Sequence, residues 1–122
     1  MGIFGDYGSG YSSKIEKEHQ YASFASSAGV MIAVCEKESV SHAGMGVLDV
    51  AMASQNIMLA AHALGYGTCF CGVYPETHEK FNELLQVPKD VRVIGLISLG
   101  KPIEIKPTPA RYNEFKVHVN RW

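Results

Sequence analysis

The sequence predicts an α+β fold, a mixed sheet flanked by helices and finished by an extended C-terminal arm. Three observations carry that prediction. Apolar runs of strand length alternate with helical segments, in the order helix, strand, long helix, strand, helix, strand, arm, strand. The longest helical segment is apolar nearly all round, as suits a central element rather than a surface one. The segment Lys101 to Arg111, "KPIEIKPTPAR", has three prolines and fits neither a ladder nor a helix, so it reads as an arm laid across a surface. The 122 residues suit one domain, residues 1–122, with a thin margin for a core.

The opening "MGIFGDYGSGYSS", residues 1–13, is rich in glycine and serine and is expected to be a flexible start. Ser13 with Glu16 three residues later matches a capping box, which predicts a helix over about residues 14–25. Gly29 to Cys35, "GVMIAVC", is short, apolar and rich in β-branched residues, and so predicts a buried strand. "EKESVSHAG" is polar and predicts a loop.

Met45 to Leu64 carries the strongest helical signal, and its polar members Asp49, Ser54, Gln55, Asn56 and His62 do not share one face. A helix of that kind must be covered nearly all round, and a short chain has few elements to cover it. A second copy of the chain is the economical cover, so a homodimer with this helix at or near the interface is expected. Gly65 is the natural left-handed cap of the helix. "TCFCGV" is then a short extended segment. Glu76 to Leu85 predicts an amphipathic helix, with Pro88 after its end. Val91 to Gly100, "VRVIGLISLG", predicts another apolar strand, and the alternation of Phe115, Val117 and Val119 predicts an edge strand near the C-terminus.

Composition narrows the function. With 47% hydrophobic and 19% charged residues the chain is an ordinary soluble one. A net charge of −1 shows no nucleic-acid footprint. The long apolar segment is interrupted too often to span a membrane, and no secretion signal is expected at the start. Three cysteines are too few for a disulfide scaffold and fit a reducing cytoplasm.

The chemistry-bearing residues are few. Cys69 and Cys71 form C-x-C, and the expectation is that their side chains take opposite faces of the extended segment, against one shared metal or an easy disulfide. Cys35, His62 and His78 lie far off in sequence, so no metal site is expected. His62, Asp49 and Gln55 read first as core or interface polar groups. No G-x-S-x-G elbow and no G-K-[ST] phosphate loop is present. Arg111 follows a stretch stiffened by Pro107 and Pro109, which could aim a guanidinium at an anion. What remains is main chain: Gly65 to Gly72 places several N–H groups with little side-chain cover, able to dock the polar edge of a flat ring.

The stretches "LDVAMASQNIMLAAHALGYGTCFCGV", "FNELLQVPKDVRVIGLISLGKP" and "ARYNEFKVHVNRW" together resemble the nitroreductase family, over about Ala28 to Trp122. The resemblance rests on D-x-x-x-A-x-Q-N-x-x-L-x-A-x-x-L-G, the following G-T and glycine, and an arginine, Arg111, ahead of the "VHVNRW" ending. It implies a homodimer holding FMN at the subunit interface, reduced by NADH or NADPH and oxidised by a nitroaromatic, a quinone or a similar small-molecule acceptor. It implies main-chain donors to the flavin from Cys71 and Gly72, with Phe70 beside them, and a phosphate contact from Arg111. Pro109 stands where the family often has lysine. The R-x-S-x-R and N-x-Q-P-W segments that usually open the family are absent, so the fold is expected to be incomplete relative to it. A dimeric, non-catalytic ligand-binding relative that has lost flavin is the alternative.

Overall fold

The computed structural model describes residues 2–5, 14–15, 17, 25–40, 42, 44–104 and 107–122, with only the main chain of 2–5. Four strands form one sheet: β1 (Gly2–Gly5), β2 (Val30–Lys37), β3 (Gly67–Gly72) and β4 (Val91–Gly100). The helices are α1 (Gly46–Ala63) and α2 (His78–Leu85), with short 3-10 turns at Ala25–Ser27, Pro75–Thr77 and Glu114–Lys116. Lys14, Ile15 and Lys17 are helical. The capping box expected at Ser13 and Glu16 lies outside the described residues.

The α+β class is as expected, but the pairing among the described strands is not mixed. The order is β1-β2-β4-β3, and every neighbouring pair is antiparallel. β2 and β3 do run in the same direction, as the ends of a strand–helix–strand connection should. β4 inserts between them and is antiparallel to both, with Ile32 opposite Ile97 on one side and Phe70 opposite Ile97 on the other. Sequence order therefore suggests a parallel pair that the later strand splits. A second correction concerns the start: residues 2–5 are a strand paired to β2, with Gly2 opposite Ala33, where a loop was expected. Glycine carries little strand preference, and here the ladder to β2 decides.

β2 and β4 are buried along most of their length because both sheet faces are covered. On one face Met31, Ala33, Val93, Leu96 and Cys71 pack with Ile15, Phe81 and Leu85. On the other, Ile32, Val34 and Ile97 pack with Val50 of α1, joined by Ile57 and Met58. Only Gly46, Val50, Ser54 and Ala61 of α1 are buried. The first three repeat every four residues, the spacing of one helical stripe. Ser54 meets its buried position by donating its hydroxyl to the Val50 carbonyl at 2.7 Å. Beyond these residues and the partly buried Ile57 and Met58, much of this apolar helix is exposed: Leu48 is 53% exposed, Met52 61% and Leu59 58%.

Two side chains fix the far end of the sheet. Asn82 of α2 donates its amide N–H to the Val91 carbonyl and accepts from the Val93 N–H, each at 3.1 Å, so it acts as a short rung for β4. Glu36 of β2 is buried beside the first turn of α1 and accepts from Arg92 Nη2 at 2.7 Å. Gly46 is the residue that lets Glu36 lie there, since a Cβ at that position would overlap its carboxylate. The C-terminal edge strand is not formed. Residues 101–104 and 107–122 are exposed and carry only the Glu114–Lys116 turn, because none of the described strands lies alongside Phe115, Val117 and Val119 to pair with them. Among the described residues no helix is long and apolar enough to cross a membrane.

Candidate functional site

The site begins where α1 stops. Gly65 takes φ +82°, a left-handed value that favours glycine. Its N–H donates to the His62 carbonyl at 3.0 Å, and the Tyr66 N–H donates to the Ala61 carbonyl at 2.9 Å. These are the two bonds of a Schellman cap, and they turn the chain from the helix into β3. β3 is the last of the described strands of the sheet, so only one of its long sides is paired to a described strand.

The ladder phase decides which amides face that outer side. The Val73 N–H donates to the Ile94 carbonyl at 2.9 Å, and the register continues without a slip through Gly72–Gly95 and Cys71–Leu96. In an antiparallel pair alternate residues turn their polar groups inward. Cys71 therefore directs its N–H and carbonyl at β4, while Phe70 and Gly72 direct theirs to the outer edge. Of the positions singled out in sequence, Phe70 and Gly72 form the outward-facing pair and Cys71 is the inward-facing residue between them.

The side chains divide differently. Cys69 and Cys71 are two residues apart, and side chains along a strand repeat every second residue. They share one face, and the expectation of opposite faces is wrong by one step of that period. Cys69 is exposed and Cys71 is buried. Burial, together with the hydrogen-bonded Cys69 thiol next to it, pushes the Cys71 thiol up to about 11. Cys35, elsewhere on the same face, is also raised by burial. Both are held as neutral thiols at ordinary pH. Phe70 takes the other face. Its ring lies over Gly95 of β4 and against Gly72, and a Cβ on Gly95 would sit 2.5 Å from two of its ring carbons.

The remaining candidates do not converge on β3. Arg111 lies in the exposed tail and lines a shallow cavity with residues of the same segment, 110–116. His62 is exposed on α1, and His78 Nε2 sits 3.1 Å from the Val73 carbonyl as a local support. No group of three or more metal-ligating side chains occurs among the described residues. Three features escaped the sequence reading: the Asn82 rung, the Glu36–Arg92 pair and the Gly95 seat for Phe70. The first two depend on residues 9 to 56 positions apart. The third had one signal, a glycine inside an otherwise apolar strand, which marks a close approach.

The antiparallel sheet with a long helix on one face is a nitroreductase-type fold. The chain belongs to the nitroreductase family, whose model matches residues 8–101. That match starts earlier than Ala28, so the segment after the opening glycines is part of the family's pattern. A Methanothermobacter thermautotrophicus protein, provisionally assigned as an NADH dehydrogenase/NAD(P)H nitroreductase, is 37% identical over 112 residues, 89% of this chain and 59% of the relative. An FMN reductase (NADPH) of Bacillus subtilis is 30% identical over 82 residues, covering 62% of this chain and 33% of that protein. A solved Bacteroides thetaiotaomicron structure with the same provisional assignment as the first superposes with a TM-score of 0.89 at 25% identity, over 99% of this chain and 71% of that one.

Proposed function

We propose that the chain acts as a dimeric FMN-dependent oxidoreductase, taking hydride from NADH or NADPH and passing it to a nitroaromatic, quinone or similar small acceptor. The observation that carries this reading is the outer edge of β3, where the Phe70 amide faces away from the sheet beside its own aromatic ring. Bound FMN would supply the hydride chemistry, accepting at its flavin ring from the nicotinamide and returning it to the acceptor.

The chain's own part is to bind and orient. Amide donors along the edge suit the polar rim of a flat ring, and donors aimed where negative charge gathers would favour the reduced form. Cys71, tied into the ladder, holds the spacing between the two amides. Arg111 fits the phosphate end by chemistry, and from the exposed tail it would reach a site shared with a second copy. The uncovered side of α1, with Leu48, Met52 and Leu59, supplies apolar surface for that copy. Three free cysteines suit a cytoplasmic home.

The test is a titration of the purified full chain with FMN, followed by quenching of flavin fluorescence, alongside sedimentation of the same sample. Saturable quenching by a dimer, weakened by Arg111→Ala, is the expected result. A colourless chain that takes up no FMN under any condition would reject the reading in favour of the flavin-free binding relative. Leu59→Asp should shift the dimer toward monomer and weaken FMN uptake in parallel.

A further inference from the structure

We propose that Cys69 and Cys71 form a two-thiolate site for a soft, two-coordinate cation of the Cu(I) kind. The argument is geometric. The pair shares one face of β3, with Cys69 exposed at the wall of an open cavity of about 500 Å3 and Cys71 buried two residues along, its thiol within hydrogen-bond reach of Cys69. Ser27, Ser98 and Lys101 line the same cavity as Cys69, so an ion arriving from solvent meets Cys69 first.

Spacing selects the ligand. Residues two apart on a strand are separated by about 6.4–6.8 Å along it. A disulfide wants Cβ atoms about 3.5–4.5 Å apart, so oxidation to a bridge would require the strand to contract. Two sulfurs on opposite sides of one ion need about 4.6 Å, twice a metal–thiolate bond of about 2.3 Å. Rotation of the two thiols toward each other meets that span and leaves the backbone still. The donor set sets the coordination number: no third His, Cys, Asp or Glu joins the pair among the described residues. Four-coordinate zinc is therefore poorly served, whereas thiolates are the ligands that select Cu(I).

Binding involves no change of oxidation state. Two S–H bonds break, two metal–sulfur bonds form, and two protons leave to solvent for each Cu(I) taken up as a bis-thiolate anion. The site is separate from the outer edge of β3, because the thiols point along the sheet face and the Phe70 and Gly72 amides point along the sheet plane. It does not depend on the flavin reading.

The experiment is an anaerobic titration of the reduced full chain with Cu(I), in competition with a chromophoric Cu(I) chelator. The wild type and Cys35→Ser should each bind one equivalent with equal affinity. Residues that merely support a metal ligand cost about 10- to 100-fold when lost, so Cys69→Ser, at an exposed position, should lose about a hundredfold or more. X-ray absorption on the wild-type adduct should show two sulfur neighbours. Unchanged affinity in Cys69→Ser, loss of binding in Cys35→Ser, or a single sulfur neighbour would each overturn the proposal.

Discussion

Replacing Gly95 with alanine should lift Phe70 off the sheet, and the size of the effect can be worked from the contacts. The new Cβ would lie 2.5 Å from Cε2 and Cζ of the ring and 3.3 Å from the Cys71 carbonyl oxygen. The carbonyl is fixed in the ladder, so the ring moves. Phe70 is 39% exposed, so about three-fifths of it is covered now. Full burial of a phenylalanine is worth about 1.5–3 kcal/mol, so displacing this one should cost about 1–2 kcal/mol. That is a fall of several degrees in Tm for a domain of this size. The discriminating assay is a double-mutant cycle by chemical denaturation. Phe70→Ala alone should cost a similar 1–2 kcal/mol or so. On the Phe70→Ala background, Gly95→Ala should cost almost nothing, because the methyl then meets no ring. The two changes should couple by about 1 kcal/mol or more. If Gly95→Ala costs the same in both backgrounds, the ring does not occupy the glycine's space and the reasoning fails.

Three further outcomes follow from the same contacts. Asn82→Ala removes both rungs to β4 and strands the Val91 carbonyl and Val93 N–H, which should cost about 2 kcal/mol in urea unfolding. Glu36→Ala takes the near partner from Arg92, whose Nε already has none, and should cost about 2 kcal/mol, with Glu36→Gln closer to half that. The Cys71 thiol titrates at 9.0 when free and at about 11 in the fold, so between those values the unfolded chain holds fewer protons. Its contribution is fully present below pH 9 and is lost as pH rises toward 11, so thermal melts should fall across that window and Cys71→Ala should flatten the fall.

Local signals carried most of the fold into the sequence. Gly65 was legible as a cap because glycine after a long apolar run has one common use there. The strands Gly29 to Cys35 and Val91 to Gly100 were legible because β-branched apolar runs of that length rarely do anything else. The pairing order was not legible, since nothing local says that β4 will enter between β2 and β3. The C-terminal alternation of Phe115, Val117 and Val119 misled for a related reason. Alternation shows that a segment can be a strand, but a strand also needs a neighbour, and none of the described strands lies beside this one. The site was half legible. Glycines flagged an exposed main chain at residues 65–72, but which amides face outward depends on the phase of a ladder fixed by Ile94.

β3 is six residues long and works in three directions at once. Cys69 and Cys71 face one side of the sheet, Phe70 the other, and the Phe70 and Gly72 amides lie in the sheet plane. The pleat keeps these directions apart, so changes to each should be separable. Cys69→Ser should alter thiol chemistry and leave the ring seat intact, while Gly95→Ala should move the ring and leave Cys69 reactive to an alkylating agent at the wild-type rate. The one residue that joins the directions is Cys71. Its thiol belongs to the buried face and its main chain holds the spacing of the outward amides. A bulky replacement such as Cys71→Leu should therefore disturb flavin uptake through the strand, without any side chain reaching the outer edge. Parallel losses of stability and FMN quenching in that variant, against unchanged quenching in Cys69→Ser, would separate a strand-borne effect from a thiol-borne one.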